Sequence, residues 1–256
     1  MPRYRRRNSA LCLDEPQLGL AAECGSSPAV SPARHPSSPG LRIGVSGHRV
    51  PPKLPEESEA PLRALIDRIL AAIVDTARKA NTASVLVIVS SLAEGSDRIV
   101  AEAGLAAGFA LQAVLPFDRA EYERDFETQM SRREFEELLA RACDVFELDG
   151  EADQRPRAYE AAGLFMLANI DVLIAIWDGE VAAGIGGTAQ IVERAIADGI
   201  VVVWIEPSHP NAIRISRPSS GAASADARAG LKSAFRPADV AAITGAVEKI
   251  LTSPTQ

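Results

Sequence analysis

Four short stretches carry residues whose types and spacing can do chemistry. Gly184-Ile185-Gly186-Gly187-Thr188 precedes an apolar periodic run. Bare backbone amides and a helix dipole can receive a phosphate or carboxylate there, with the Thr188 hydroxyl beside them. The spacing is neither the dinucleotide fingerprint, which follows a first strand, nor a P-loop, because no Gly-Lys-Ser/Thr occurs. Gly47-His48-Arg49 follows another apolar run. Gly47 permits close backbone approach, Arg49 can pair with a phosphate, and His48 can share a hydrogen bond with a base or ribose. In Ser90-Ser91-Leu92-Ala93-Glu94-Gly95-Ser96-Asp97, the serines offer hydroxyls, Gly95 a tight turn, and Ser96 or Asp97 a helix cap. Asp178, before Gly179, either holds a ribose hydroxyl or bonds its own turn. A serine nucleophile is disfavoured: Gly44-Val45-Ser46-Gly47-His48 misses the Gly-x-Ser-x-Gly elbow by one place. Nothing in the spacing of His48, Asp97 and Asp178 asks for a metal.

The elements around these stretches alternate. Leu41–Ser46 reads as a first strand, and a long helix follows with Leu62, Leu65, Ile66, Ile69, Leu70, Ile73 and Val74 on one face. Val85–Val89 and Leu111–Leu115 are β-type runs suited to strands buried on both faces, with a helix to about Ala107 between them. Val145–Leu148, Val172–Trp177 and Ile200–Ile205 complete six strands, with helical stretches over 118–141, Tyr159–Ala168 and the segment after Thr188. This alternation predicts an α/β fold: a Rossmann-like open parallel sheet of about six strands, with helices on both faces. In such a sheet ligands bind beyond the carboxyl ends of the strands, where the strand order reverses. These stretches lie in three loops that all follow strand ends, Ser46–Arg49, Ser90–Asp97 and Asp178–Thr188, so they predict one composite site.

The expected domain runs from 41 to 206. Residues 1–40, rich in Arg, Pro and Ser, read as a disordered tail, and 207–256 as a loop and C-terminal helix appendage. Paired arginines near the start are not followed by a long apolar stretch, so export is not expected and a cytoplasmic location is. A formal net charge of −7 and the lack of a basic stripe argue against nucleic acid as partner. The apolar runs fall short of membrane-spanning length. Three scattered cysteines suit neither a disulfide framework nor a zinc site.

Taken together, the loops resemble the SLOG superfamily, which joins the DNA-processing protein DprA with the LOG nucleotide phosphoribohydrolases. Ile43-Gly44-Val45-Ser46-Gly47-His48-Arg49 is similar to its first-strand motif. Ser90–Asp97 is similar to the Ser-Gly-Leu-Ala-x-Gly-x-Asp loop of the DprA branch, and Gly186-Gly187-Thr188 to the glycine-rich helix start of LOG proteins. With Leu-Pro-Phe and Trp-Asp-Gly added, the pattern resembles an uncharacterised bacterial branch. The resemblance implies a nucleotide or nucleotide-derived ligand. LOG enzymes carry catalytic glutamates two and three places after the threonine; here those places hold Gln190 and Ile191. Glu193 is two residues further on, and a two-residue shift turns a helical side chain by about 200°. Glu160 or Glu94 is left as a carboxylate that could serve a hydrolase.

The expectation is therefore a nucleotide-binding sensor or regulatory domain without a further cofactor. Gly186, Gly187 and Thr188 would hold phosphate with Arg49 as charge partner, beside Gly47 and His48. Ser91, Glu94, Gly95 and Asp97 would shape a sugar pocket that Asp178 closes. The alternative is an N-glycosidic hydrolase acting on a nucleoside monophosphate or NAD-like ligand. Self-association into a homo-oligomer is compatible with either.

Overall fold

The structure, a computed structural model, describes residues 3–8, 40–49, 55–80, 85–180, 185–216 and 231–252. Six parallel strands form its centre: β2 (Gly40–Gly47), β3 (Val85–Ser90), β4 (Ala110–Leu115), β5 (Asp144–Leu148), β6 (Val172–Ile176) and β7 (Val201–Glu206). Their apolar residues alternate between faces because strand side chains have a period of two. Leu41, Ile43, Val45, Ile88, Ile174 and Val203 point into one core layer, while Val87, Val89, Leu173, Ala175 and Val202 point into the other. Such two-sided burial makes these strands continuous apolar runs in sequence.

Helices cover both faces. α1 (Glu56–Lys79), α2 (Ser96–Ala106) and α4 (Gln129–Arg141) contribute to the first layer, and α5 (Arg155–Leu167) and α6 (Thr188–Ala197) mainly to the second. Close approach depends on small residues. A side chain on Gly104 of α2 would meet Ile88 Cγ1 at 2.4 Å, and one on Gly163 of α5 would meet Ile191 Cδ1 at 2.3 Å. A one-turn helix α3 (Arg119–Tyr122) and a 3-10 turn (Glu123–Asp125) follow β4.

The complete sheet has nine strands, in the order β1-β5-β4-β3-β2-β6-β7-β8-β9. The three beyond the six expected are all antiparallel edge additions. β1 (Tyr4–Asn8) pairs with β5, β8 (His209–Ser216) with β7, and β9 (Phe235–Pro237) with β8. The reading of 1–40 as a disordered tail therefore fails for Tyr4–Asn8; residues 9–39 lie outside the described residues. The loop expected over 207–236 fails for β8 and β9 in the same way, with 217–230 outside the described residues. Both errors have one cause. An edge strand is specified by the ladder it joins, and neither Arg-rich Tyr4–Asn8 nor a run opening His209-Pro210-Asn211 announces that locally.

Nor is the C-terminal segment an appendage. Ile243 and Val247 of α7 (Val240–Thr252) are buried in the same layer as Leu62, Leu65 and Ile66 of α1. No helix of the described residues is long and apolar enough to cross a membrane.

Behind β4 an aromatic cluster sets the course of residues 117–126. Phe117, Tyr122, Phe126 and Phe135 are buried, with Phe126 and Phe135 ring centroids 4.9 Å apart and Tyr122 5.2 Å from Phe126. Phe135→Ala should lower unfolding stability by about 3–5 kcal/mol, the range for a buried phenylalanine whose cavity cannot collapse. Urea denaturation followed by far-ultraviolet dichroism checks this; a loss under about 1 kcal/mol would contradict the cluster's role.

Candidate functional site

The strand order reverses at β2: β3, β4 and β5 extend on one side of it, β6 and β7 on the other. This defines a doubly wound α/β protein with a switch point between the carboxyl ends of β2 and β6, the place where such sheets hold ligands. Register puts Gly47 opposite Ile176 there.

The backbone ties the loops together. His48 N–H donates to Ile176 O at 3.0 Å, and His48 O accepts from Ser96 N–H (3.2 Å) and the Ser96 hydroxyl (2.8 Å). The ends of β2 and β6 and the start of α2 thus meet around one residue. Gly47 makes room: a Cβ would sit 2.5 Å from Ser96 Cβ and 2.9 Å from Ile176 O. Ser96 is not a helix cap as expected. Gly95, at φ 85°, holds the N-cap position without a side-chain bond, and the Ser96 hydroxyl is spent on β2 instead.

His48 and Asp178 form a pair across the switch point. His48 Nε2 lies 3.0 Å from Asp178 Oδ1 and 3.1 Å from the Asp178 N–H, while Asp178 Oδ1 accepts from Glu180 N–H at 3.0 Å. Asp178 therefore bonds its own turn, one of its two expected roles, and also meets the imidazole. Trp177 and Trp204 are packing residues: both are buried, with centroids 5.2 Å apart, and Trp204 Nε1 donates to Trp177 O.

The β3–α2 loop is a closed hydrogen-bonded turn. Asp97 is buried and accepts from the Ser90 hydroxyl (3.3 Å) and Ala93 N–H (3.4 Å), while Ser90 Oγ accepts from Leu92 N–H. Leu92 adopts φ 57°, uncommon for a residue with a branched side chain. Glu94 accepts from the Ser131 hydroxyl at the start of α4. Buried Arg98 donates to Leu92 O (3.2 Å), to Ser131 Oγ (2.9 Å) and to Glu134 (3.0 Å), with its guanidinium 4.6 Å from the Phe126 centroid. Asp97 and Glu94 thus brace the loop, and Ser91 is partly exposed on it.

The glycine-rich stretch opens α6, with Gly187 as N-cap and no side chain capping the helix. Thr188 is the first helical residue, and Gly184 lies outside the described residues. Gly186, at φ 81°, packs on the first turn of α5: a Cβ there would meet Pro156 O at 2.5 Å and Tyr159 Cβ at 3.2 Å. The Gln190 side chain bridges this contact, accepting from Gly186 N–H at 2.8 Å and donating to Glu160.

A fourth element, missed in the sequence, completes the mouth. Asp125 is nearly buried and gathers three groups: Arg155 donates to it, the Tyr159 hydroxyl donates at 2.6 Å, and Arg49 Nη2 stands 3.7 Å away. Arg155 also bonds Glu121, and the Arg49 guanidinium lies 5.6 Å from the Tyr159 ring. Burial opposes the charge on Arg49, but Tyr122, Tyr159 and Asp125 outweigh it and raise its pKa. Tyr159 thus has Arg49 at its ring and Gly186 at its Cβ, joining the arginine to the glycine-rich turn. The available signal was Arg155-Pro156-Arg157-Ala158-Tyr159 at a helix start after a strand.

Two concavities lie beside this mouth rather than on it. One, of about 220 Å³, is lined by Pro116, Gly150, Gln154 and Ala158; the other, of about 320 Å³, by Leu164, Gln190, Glu193 and Arg194. Among the described residues no group of three or more His, Cys, Asp or Glu is placed to hold a metal ion.

No family model matches the sequence, and no curated protein matches it. Solved structures do resemble the fold. The DNA processing protein A (DprA) of Streptococcus pneumoniae matches at TM-score 0.44 and 20% identity, over 65% of this chain and 50% of that one. DNA processing protein A of Helicobacter pylori, described for its single-stranded DNA binding mode, matches at TM-score 0.44 and 19% identity, over 66% of each chain. A structural genomics target, TM1055, matches at TM-score 0.37 and 19% identity, over 62% of this chain and 70% of that one. The chain thus spans about half of the first and two thirds of the second.

Burial pushes the Asp97 carboxyl up to about 6, against the opposing hydrogen bonds from Ala93 and Ser90. A carboxyl whose pKa is higher folded than unfolded makes the native state gain stability as pH falls through 6, levelling off near its unfolded value of about 3.9. Relative to Asp97→Asn, the unaltered chain should therefore gain about 2 kcal/mol of unfolding free energy between pH 7.5 and pH 4. Parallel urea titrations check it; a flat difference would mean that Asp97 is solvated.

Proposed function

We propose that the protein binds a nucleotide or nucleotide-derived small anion at the carboxyl-end mouth of β2, β3 and β6, as a sensor or regulatory domain. The observation that carries this reading is the gathering of Arg49 and Arg155 on one buried carboxylate, Asp125, beside the uncapped start of α6. Arg49 keeps 43% of its side chain exposed, so it can turn donors towards a ligand while its other side faces Tyr159. Gly187, Thr188 and the first α6 amides supply neutral anion donors, and Gly186 lets the turn lie on α5. The His48–Asp178 pair and Ser91 line the other side and suit hydroxyl groups of a sugar.

Binding without cleavage is favoured over hydrolysis because both candidate carboxylates are already engaged, Glu160 with Gln190 and Glu94 with Ser131. A general acid must reach the leaving group with its proton available.

A panel of nucleoside monophosphates, cyclic and dinucleotides, NAD and a short single-stranded DNA tests this by thermal shift, with chromatography for released base. At least one small nucleotide should raise the melting temperature without base release. Arg49→Ala should weaken it roughly 10- to 100-fold, the worth of one charged hydrogen bond. Base release would favour the hydrolase, a shift with DNA alone a nucleic-acid protein, and no shift at all would overturn the proposal.

A further inference from the structure

The outer edge of β5 presents an acid on each face of the sheet. Asp144 and Glu147 have side chains only 8% and 6% exposed, and each is met by an arginine of β1. Arg6 grips Asp144 with two parallel bonds of 3.0 Å, and Arg7 Nε stands 3.3 Å from Glu147 Oε1. Gln112 of β4 supports Asp144 from behind at 3.0 Å. Tyr4 sets its ring edge-on against Phe146 and Phe165, at 5.6 and 5.2 Å, and the ladder runs on to a bond from Asp149 N–H to Arg3 O.

No tight turn dictates this pairing. The partner strand of β1, β5, lies far along the chain, Arg6 and Asp144 being 138 residues apart, so β1 is not delivered by a two-residue hairpin that would fix its register. Register and direction are set by what the edge itself offers: main-chain groups, an aromatic contact, and one carboxylate per face. Those are the attributes of a strand-addition site, in which the ladder gives affinity and alternate side chains give specificity.

We propose that the β5 edge is a docking site for an extended arginine-rich strand, filled here by the chain's own Tyr4–Asn8 segment and able to take the same strand supplied in trans. The occupant is defined by chemistry: an aromatic residue, then arginines two and three places on that reach opposite faces. Because the cis strand belongs to the same chain, its pairing is intramolecular, which keeps the edge covered in the isolated chain.

The test uses the full-length chain carrying Arg6→Glu and Arg7→Glu, which turns the cis strand against Asp144 and Glu147. A fluorescent peptide of residues 1–8 should bind this variant at least tenfold more tightly than the unaltered chain, whose edge is occupied. Adding Asp144→Asn and Glu147→Gln should abolish the gain. Hydrogen exchange should show β5 amides opened by the arginine reversals and protected again by the peptide. Equal binding to both chains, no binding to the variant, or β5 exchange unchanged by the reversals would each overturn the proposal. If the reversals prevent folding, Arg6→Ala with Arg7→Ala is read by the same criteria.

Discussion

The contact on which the rest of the mouth depends is the close backbone packing at Gly47. Within two residues, β2 donates to the end of β6 and accepts twice from the start of α2, with no space left for a Cβ. Each bond contributes only about 0.5–1.5 kcal/mol net, yet leaving such a buried group unpaired costs about 1–3 kcal/mol, so the two strand ends and the helix start are held together strongly. Because main chain does the fastening, the side chains of His48 and Arg49 meet partners outside the junction. They take Asp178 on one side and the Asp125–Tyr159 group on the other. Parallel strands end level with one another, so fixing one such junction fixes where neighbouring loops emerge.

Charge acts in the mouth at a different range from charge over the whole surface. A net charge of −7 repels anions at a distance, but at physiological salt that repulsion fades over about 8 Å. Within that range the count is local. Asp125 and Glu121 stand against Arg49, Arg155 and Arg124, so these acids are outnumbered by the arginines they hold. Arg155 is bonded to both acids, whereas Arg49 sits 3.7 Å from Asp125, beyond hydrogen-bond distance but within ion-pair range. Of the two guanidinium groups, Arg49 is thus the one whose donors can be redirected at small cost.

The parts legible in the sequence share a property: their signal is local. Val85–Val89 and Val172–Ile176 announce two-sided burial by an unbroken apolar run rich in Val and Ile, and α1 announces its buried stripe by spacing. The glycine-rich and serine-rich loops were legible because strand ends preceded them. What stayed hidden depends on partners far along the chain. Asp125 sits in a charged stretch with no periodic signal, and its role comes from Arg155 and Tyr159, some thirty residues away. Ser131, likewise, looks like an ordinary early-helix serine until Glu94 and Arg98 reach it. The antiparallel edge strands were lost for the same reason, since a neighbour's unpaired ladder supplied their conformation. Glu94, Glu160 and Asp97 stood out in the sequence as candidate site carboxylates, and in the structure each is engaged by neighbouring groups: Ser131, Gln190, and Ser90 with Ala93.

Gln190 shows why one residue type matters at a position where a glutamate would be nearly the same size. Its amide accepts from the Gly186 N–H and donates to Glu160 at the same time. An ionised carboxylate offers only acceptors, so in its place it could keep the Gly186 bond but would confront Glu160 with a second negative charge. The neutral amide thus turns two potentially reactive positions into a brace between the glycine-rich turn and α5. Gly186 adds to that brace, since its positive φ and bare Cα allow the turn to rest on Pro156 O. Rigidity at this point would favour the proposed ligand, since amides already fixed in direction lose little entropy on binding. It serves acid–base chemistry poorly, because the carboxylate nearest the turn is held by its neighbour rather than by a substrate.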